Sequence, residues 1–475
     1  MHMENTQVWF ITGSQSLYGP ETLEKVAAQS QSVVARLNAS GRIPVPVTWK
    51  PVVTDADAIR RLMLEANAQD DCIGVICWMH TFSPAKLWIA GLKLLAKPLL
   101  HLHTQDNVEL PFATLDQDFM NLNQAAHGDR EFGYILTRLG LARKIVVGHT
   151  SDPAVCDRIG VWARAALAAA DVSRLKIVSF GANMREVADT DGDKVGMQIT
   201  FGAEVDGYGI TDLAEYVRQV PPSVIDDLIG EYAERYDIAS ELVPGGARHD
   251  LLRDGAAQEA AIKAFMDDHG ARAWTNSFQD LGALRQLPGF AAQRLMAQGY
   301  GYGPEGDWKT PMLVRAAAVI GEGLPGGASL MEDYTYNLVP GREGVLGSHM
   351  VEIAETLTSS RPRLEIHALG IVPREDPVRL VFDADPAEAI IVGLVDLGGK
   401  FRLVANVVDI VEPEAPMVKL PSARAYFKPR PGFYAALESW LTVGGGHHDA
   451  ITTAVGAEAW VDFARIFGVE LSLIQ

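Results

Sequence analysis

The chain has 475 residues, 48% of them hydrophobic and 21% charged, with a formal net charge of −19 at pH 7. That length exceeds what one ordinary hydrophobic core organises, so two or three globular domains are expected, and the composition is that of neither a disordered nor a membrane protein. The acidic excess excludes nucleic acid as a partner, because phosphate binding needs a basic face, and it favours a neutral or cationic substrate over an acidic one.

In chain order, the N-terminal residues lack a basic stretch followed by an apolar one, so no signal peptide is expected. "VWFITG" reads as a strand and Glu21 to Leu37 as a helix; "VTWKPVV" is a second strand and Ala56 to Ala68 a second helix. "CIGVICW" is a continuous apolar run, the pattern of a strand buried on both faces. Pro84 opens a helix predicted to run to Leu95, and "PLLHLHT" and "KIVVGH" are further strands, each followed by helical sequence. This alternation predicts a Rossmann-like α/β domain with a parallel sheet over residues 1–172. A second parallel-sheet α/β domain is expected over 173–325, with strands at "RLKIVSFGANM", "MQITFGAEV" and "ARAWTNSF" and a helix from Asp250 to His269. The rhythm then changes. "LEIHALGI", "VRLVFDA" and "AIIVGLVDLGGKFRLVANVVDIV", punctuated by Pro and Gly, predict a mainly antiparallel, barrel-like domain over 326–475.

Cys72, Cys77 and Cys156 fit no common zinc spacing and read as buried free thiols of a reducing compartment, so a cytoplasmic protein is expected. No apolar run approaches the ~18 residues of a membrane helix, and no membrane partner is expected.

The opening strand is followed by "SQSLYG", which has neither the dinucleotide fingerprint nor a phosphate loop. The glycines of Gly299 to Thr310 surround Pro304 and Glu305, where a phosphate loop would want free N–H groups and no anion. There is no G-x-S-x-G elbow and no cysteine beside an activating base. What remains is a metal site assembled from distant segments. Its candidates are Glu305 in "GPEGDWKT", Glu332 in "LMEDYTYN", His349 in "LGSHMVEI" and the pair His447–His448 in "VGGGHHDA". Two carboxylates and two imidazoles are a set suited to Mn²⁺, Co²⁺ or Fe²⁺ with positions left for substrate oxygens. Taken singly, each is outweighed by the ordinary reading of a solvated glutamate or an incidental histidine.

"FITGSQSLYG", "HTFSPAKLWI", "NLNQAAHGDREFG", "NMREVADTDGDKV", "GYGPEGDWKT", "MEDYTYNLVPG", "LGSHMVEI", "EDPVRLVF" and "GGGHHDA", in that order, resemble segments of the L-arabinose isomerases from about residue 8 to the C-terminus. The resemblance implies aldose–ketose isomerisation of L-arabinose to L-ribulose, with D-galactose to D-tagatose beside it, by proton transfer through an enediol. It implies Mn²⁺ as cofactor, with Co²⁺ or another divalent ion able to substitute, held by Glu305, Glu332, His349 and His448. Glu305 and Glu332 are implied as the catalytic acid–base pair. The implied sugar contacts are Gln15, Leu17, Tyr18, Gln124, His127, Met184, Thr275, Phe278, Ile371 and His447. A homo-oligomer, hexamer or tetramer, with active sites between subunits follows from the same resemblance. Ser16, Asn337 and Asp449 depart from the family pattern, where histidine, histidine and threonine are usual; Ser16 and Asp449, beside implied sugar contacts, bear on substrate preference and metal affinity more than on reaction class. Isomerisation of another aldose such as L-fucose, or sugar binding without turnover, are the competing readings.

Overall fold

The computed structural model describes residues 6–371 and 373–475. The chain forms two compact units, Met1–Ala170 with Val461–Gly468, and Asp171–Trp460 with Val469–Gln475.

The first unit is built on five parallel strands, β1 (Gln7–Gly13), β2 (Val47–Trp49), β3 (Cys72–Met79), β4 (Leu99–His103) and β5 (Lys144–Val147), in the spatial order β2-β1-β3-β4-β5. Every residue of β3 is buried, as its unbroken apolar run requires. The helices Gly19–Ala39, Ala56–Ala68 and Ala125–Arg138 are amphipathic. The first begins with Pro20 inside its first turn, and the second is capped by Asp55, whose carboxylate accepts the N–H of Ala58 at 2.8 Å. The helix expected from Pro84 to Leu95 is instead two short pieces, a 3₁₀ turn at Ala85–Trp88 and Ile89–Leu92. The tight turn carries the Trp88 indole back onto Ser83, to which it donates at 2.9 Å. Strand order reverses between β1 and β3, so the crevice at their carboxyl ends is the place where such a sheet binds ligands. Ser14 and Thr81, the first or second residues past those strands, share a hydrogen bond of 2.7 Å there.

The second unit contains two larger sheets. The parallel one comprises β6 (Lys176–Phe180), β7 (Glu204–Tyr208), β9 (Ala273–Asn276) and β10 (Gly301–Gly303), in the order β10-β9-β6-β7; β8 (Asp237–Ile238) lies in a small separate sheet. The strand expected at "MQITFGAEV" is a helix, Lys194–Phe201, followed by β7. Asp193 caps its first turn by accepting from Gly196, and Gly202, at φ 81°, ends it; these local signals outweigh the β-branched residues inside.

The remaining strands are β11 (Ala328–Asn337), β12 (Gly344–Ser348), β13 (Arg363–Ile366), β14 (Val378–Val381), β15 (Ala387–Asp396), β16 (Phe401–Ile410), β17 (Arg424–Pro429), β18 (His448–Thr452) and β19 (Glu470–Ile474). β13 and β14 join β8 in the small sheet. The others run β15-β18-β11-β12-β17-β16-β19, and the pairing of β15 with β16 closes an antiparallel barrel. Parallel α/β sheets with a C-terminal antiparallel barrel is the fold class the sequence predicts. The helix Thr310–Ile320 is buried almost all round, as its mostly apolar sequence requires, and packs on β9 and β10 as well as on β11, β15 and β18.

No helix among the described residues is long and apolar enough to cross a membrane. Cys72, Cys77 and Cys156 are buried and unbridged.

Candidate active site and metal centre

Three segments of the second unit converge. The first follows β10. Glu305 adopts φ 62° and Gly306 φ 77°, a left-handed pair in which a glutamate is uncommon and such strain is often functional. The turn is held from both sides: Met184 donates its N–H to the Glu305 carbonyl at 2.8 Å, and the Asn183 amide donates to the Gly306 carbonyl at 2.8 Å. A Cβ on Gly306 would lie 2.4 Å from Asn183 Cα, so only glycine fits. Asp307 then accepts from the backbone of Lys309 and from the Thr310 hydroxyl, fixing the start of the next helix.

The second segment is the β12–β11–β18 ladder. Glu332 on β11 lies directly opposite Ser348 on β12 and His448 on β18. Directly paired residues share a face of the sheet, so Glu332 and His448 point the same way and His349 follows one residue past β12.

The third is the glycine run before the histidine pair. Gly444, at φ 84°, closes the helix Phe433–Val443. A Cβ on Gly445 would meet Trp440 Nε1 at 2.2 Å, and one on Gly446 would meet Asp189 Oδ2 at 3.1 Å. Each glycine therefore answers a separate demand, and together they bring the two histidines close to the other segments.

Ligand atoms of Glu305, His349 and His448 all lie within 4.8 Å of one another, and all three residues are buried. Glu332 Oε2 stands 3.8 Å from His349 Nε2, at the margin of this group. Neither ring nitrogen of His448 has a hydrogen-bond partner among the described residues; Asp307 Oδ2 is 3.4 Å from Nδ1, outside good geometry. A buried ring with two unmet nitrogens is costly unless something coordinates it. His349 is organised differently, with Nδ1 bonded to Glu352 Oε2 at 2.6 Å, which leaves Nε2 for the cluster. The donor set of one or two carboxylates and two imidazoles thus fits a divalent cation.

Electrostatics separate the two glutamates. Burial pushes Glu305 up, but the hydrogen bond from His447 and the charges of His448 and His349 outweigh it and hold the carboxyl below its ordinary value. Burial dominates at Glu332, whose carboxyl is raised, against the opposing pull of His349 and His447. His447 is pushed up to about 10 by its hydrogen bonds to Asp189 and Glu305.

His447 stays outside the three-residue group. Its Nδ1 contacts Asp189 Oδ2 at 2.6 Å and its Nε2 lies 3.5 Å from Glu305 Oε2. Among the other implied sugar contacts, Met184 is tied to Glu305 as described, and the Phe278 ring lies 5.9 Å from that of His349. Thr275 is fully buried at the end of β9, its hydroxyl without a partner among the described residues. Ile371 is 59% exposed. Gln15, Leu17, Tyr18, Gln124 and His127 belong to the first unit. They follow β1 or flank the start of the helix Ala125–Arg138; His127 stacks on Phe82 at 4.5 Å, Gln124 donates its N–H to the His80 carbonyl, and Leu17 is 84% exposed.

Of the departures, Asp449 is buried on the opposite face of β18 from His448, where burial pushes its carboxyl well above the ordinary range. Asn337 donates to the Arg342 carbonyl within the β11–β12 hairpin, and Ser16 is exposed. The residues missed in the sequence are Asp189, Asp307 and Glu352. Asp307 and Glu352 sit two and three positions from implied ligands. Asp189, 258 residues before His447, carried no signal at all.

Family models for the N-terminal, central and C-terminal domains of L-arabinose isomerase match residues 2–174, 176–323 and 327–470. The chain is 57% identical to the L-arabinose isomerase of Clavibacter sepedonicus over 473 residues, which is 100% of this chain and 94% of that one. It is 56% identical to that of Arthrobacter sp. (strain FB24), over 99% and 92% of the two chains. With that of Geobacillus thermodenitrificans it shares 51%, over 99% and 94%. With three consecutive domain models spanning it and relatives this similar over its whole length, the chain belongs to the L-arabinose isomerase family.

Proposed function

We propose that this chain converts L-arabinose to L-ribulose, and D-galactose to D-tagatose as a side reaction, as an aldose–ketose isomerase dependent on a divalent cation, Mn²⁺ or Co²⁺ in its place. The observation that carries the reading is the placement of two carboxylates, Glu305 and Glu332, around His349, close to His448 with its two unmet nitrogens. Sugar binding without turnover would not need both. Glu305, Glu332, His349 and His448 would hold the cation, which when bound supplies electrophilic stabilisation of negative charge developing on the sugar oxygens.

The chain's own groups move the protons. In the open-chain aldose, one carboxylate removes the proton from C2 as the C1 oxygen gains one, giving the enediol. The C2 hydroxyl then gives up its proton and C1 receives one, giving the ketose. Two carboxylates can divide this work, one at carbon and one at oxygen. The buried Thr275 hydroxyl is available to a sugar oxygen, and Phe278 covers the His349 side.

Gln15, Leu17, Tyr18, Gln124 and His127 serve the site of a neighbouring copy in a homo-oligomer, hexamer or tetramer. This is supported by the exposure of Leu17 at 84%, Val108 at 76% and Phe112 at 83%, apolar surface that a partner would cover. Three buried free thiols are in keeping with a cytoplasmic location. The test is to make Glu305→Gln and Glu332→Gln separately and follow ketose formation from L-arabinose. Each variant should keep its circular dichroism spectrum and lose about 10²–10⁴-fold in kcat; full activity in either would overturn the assignment.

A further inference from the structure

Three imidazoles meet at this site, and two of them are hydrogen-bonded to a carboxylate: His349 to Glu352 and His447 to Asp189, while Asp307 lies 3.4 Å from His448 without bonding it. For His349 the purpose is plain, since a carboxylate behind a ligand fixes the ring and raises its basicity. His447 is not in the group of converging ligand atoms, so its carboxylate has another task.

The contact is specific. Asp189 Oδ2 accepts both the backbone N–H of His447 at 3.0 Å and the ring Nδ1 at 2.6 Å. An ionised carboxylate only accepts hydrogen bonds, so Nδ1 carries the proton of this pair. The other ring nitrogen, Nε2, is thereby turned toward the cluster and lies 3.5 Å from Glu305 Oε2. Gly446 is part of the same arrangement, because its bare Cα leaves room for the Asp189 carboxylate. The result is a chain Asp189–His447–Glu305 running from a half-exposed aspartate to a buried one of the two proposed catalytic carboxylates.

We infer that Asp189 is a positioning residue for the isomerisation: it fixes the orientation of the His447 ring so that Nε2 faces Glu305 and the sugar bound beside it. The role rests on the proposed isomerase activity. An aspartate placed this way matters through the histidine, not through contact with substrate or cation.

The test uses the full-length, Mn²⁺-loaded protein and the variants Asp189→Asn and Asp189→Ala, with wild type measured in parallel. Both variants are expected to lose about 10²-fold in kcat, with KM for L-arabinose within about threefold of wild type. Mn²⁺ affinity by titration calorimetry should be unchanged, because Asp189 hydrogen-bonds to His447 and to none of the four proposed ligands. In ¹⁵N-histidine-labelled, metal-free protein, the downfield Nδ1 proton of His447 should be present in wild type and absent in Asp189→Asn. The inference is overturned if kcat in both variants stays within about threefold of wild type, if wild type lacks that resonance, or if kcat and Mn²⁺ affinity fall together. A wild-type protein inactive on L-arabinose would instead defeat the proposed function, which separates the two failures.

Discussion

Glu352 Oε2 accepts both the ring Nδ1 of His349, at 2.6 Å, and the backbone N–H of Val351, at 2.8 Å. One buried oxygen thus sets the orientation of the imidazole and the shape of the turn that carries it, and commits Nε2 to the cluster with Glu305 and His448.

Replacing this carboxylate should therefore act on the metal before it acts on the fold. Glu352→Gln is expected to weaken Mn²⁺ binding by about 10–100-fold, read by titration calorimetry on chelator-stripped protein. An affinity equal to wild type would mean that His349 does not need its buried support.

Gly306 should be equally demanding for a different reason. Alanine there would combine a left-handed backbone with a 2.4 Å approach to Asn183 Cα, and neither can relax without shifting Glu305 next to it. Gly306→Ala should cost about 1–3 kcal/mol in stability and weaken Mn²⁺ binding as well. Denaturant unfolding and metal titration of the same variant check both halves, and an unperturbed metal affinity would show that the turn tolerates the shift.

The contrast between these positions and Asp189 shows how far the sequence could be read. Parallel strands, the closed hairpin β15–β16 and the barrel followed from apolar runs and their period, because burial on one or both faces writes itself into local composition. The helix Lys194–Phe201 looks like a strand in the sequence because Ile199, Thr200 and Phe201 have β propensity, while the decisive groups, Asp193 and Gly202, lie at its ends. At the site, Glu305, Glu332, His349 and the histidine pair stood out by their setting among glycines and aromatics. Their grouping is implied by family resemblance alone, since convergence of segments more than a hundred residues apart leaves no local trace. The supporting carboxylates left even less, being ordinary aspartates and glutamates until the fold places them behind a ring.

Remote from the site, Arg294 is buried with Nε 3.2 Å from Glu259, Nη1 2.8 Å from the Tyr236 hydroxyl and Nη2 2.6 Å from Glu231. Glu259 is itself 2% exposed, so Arg294→Met leaves a buried carboxylate without its cation. A loss of about 3–5 kcal/mol is expected by chemical denaturation. Adding Glu259→Gln should recover part of it, and no recovery would place the cost in packing instead of charge.

His80 gives a pH dependence whose sign is fixed. It is fully buried, stacked on Trp78 at 4.3 Å and bonded through Nε2 to Gln29 Oε1 at 2.6 Å. Burial lowers its pKa from 6.5 to about 4. Between those values the unfolded chain binds the proton and the folded one does not, so the folded state loses ground as pH falls from about 6.5 to about 4. The difference in stability between wild type and His80→Gln should shift against wild type by about 3 kcal/mol across that window. A pH-independent difference would show that His80 is not held neutral.

The most direct measurement is ketose formation from L-arabinose by chelator-stripped protein, with and without added Mn²⁺. Formation of L-ribulose only when Mn²⁺ is returned is the expected result, and it would tie substrate, reaction and cation to one site. Turnover that is as fast without the cation, or no turnover when Mn²⁺ is tightly bound, would contradict it.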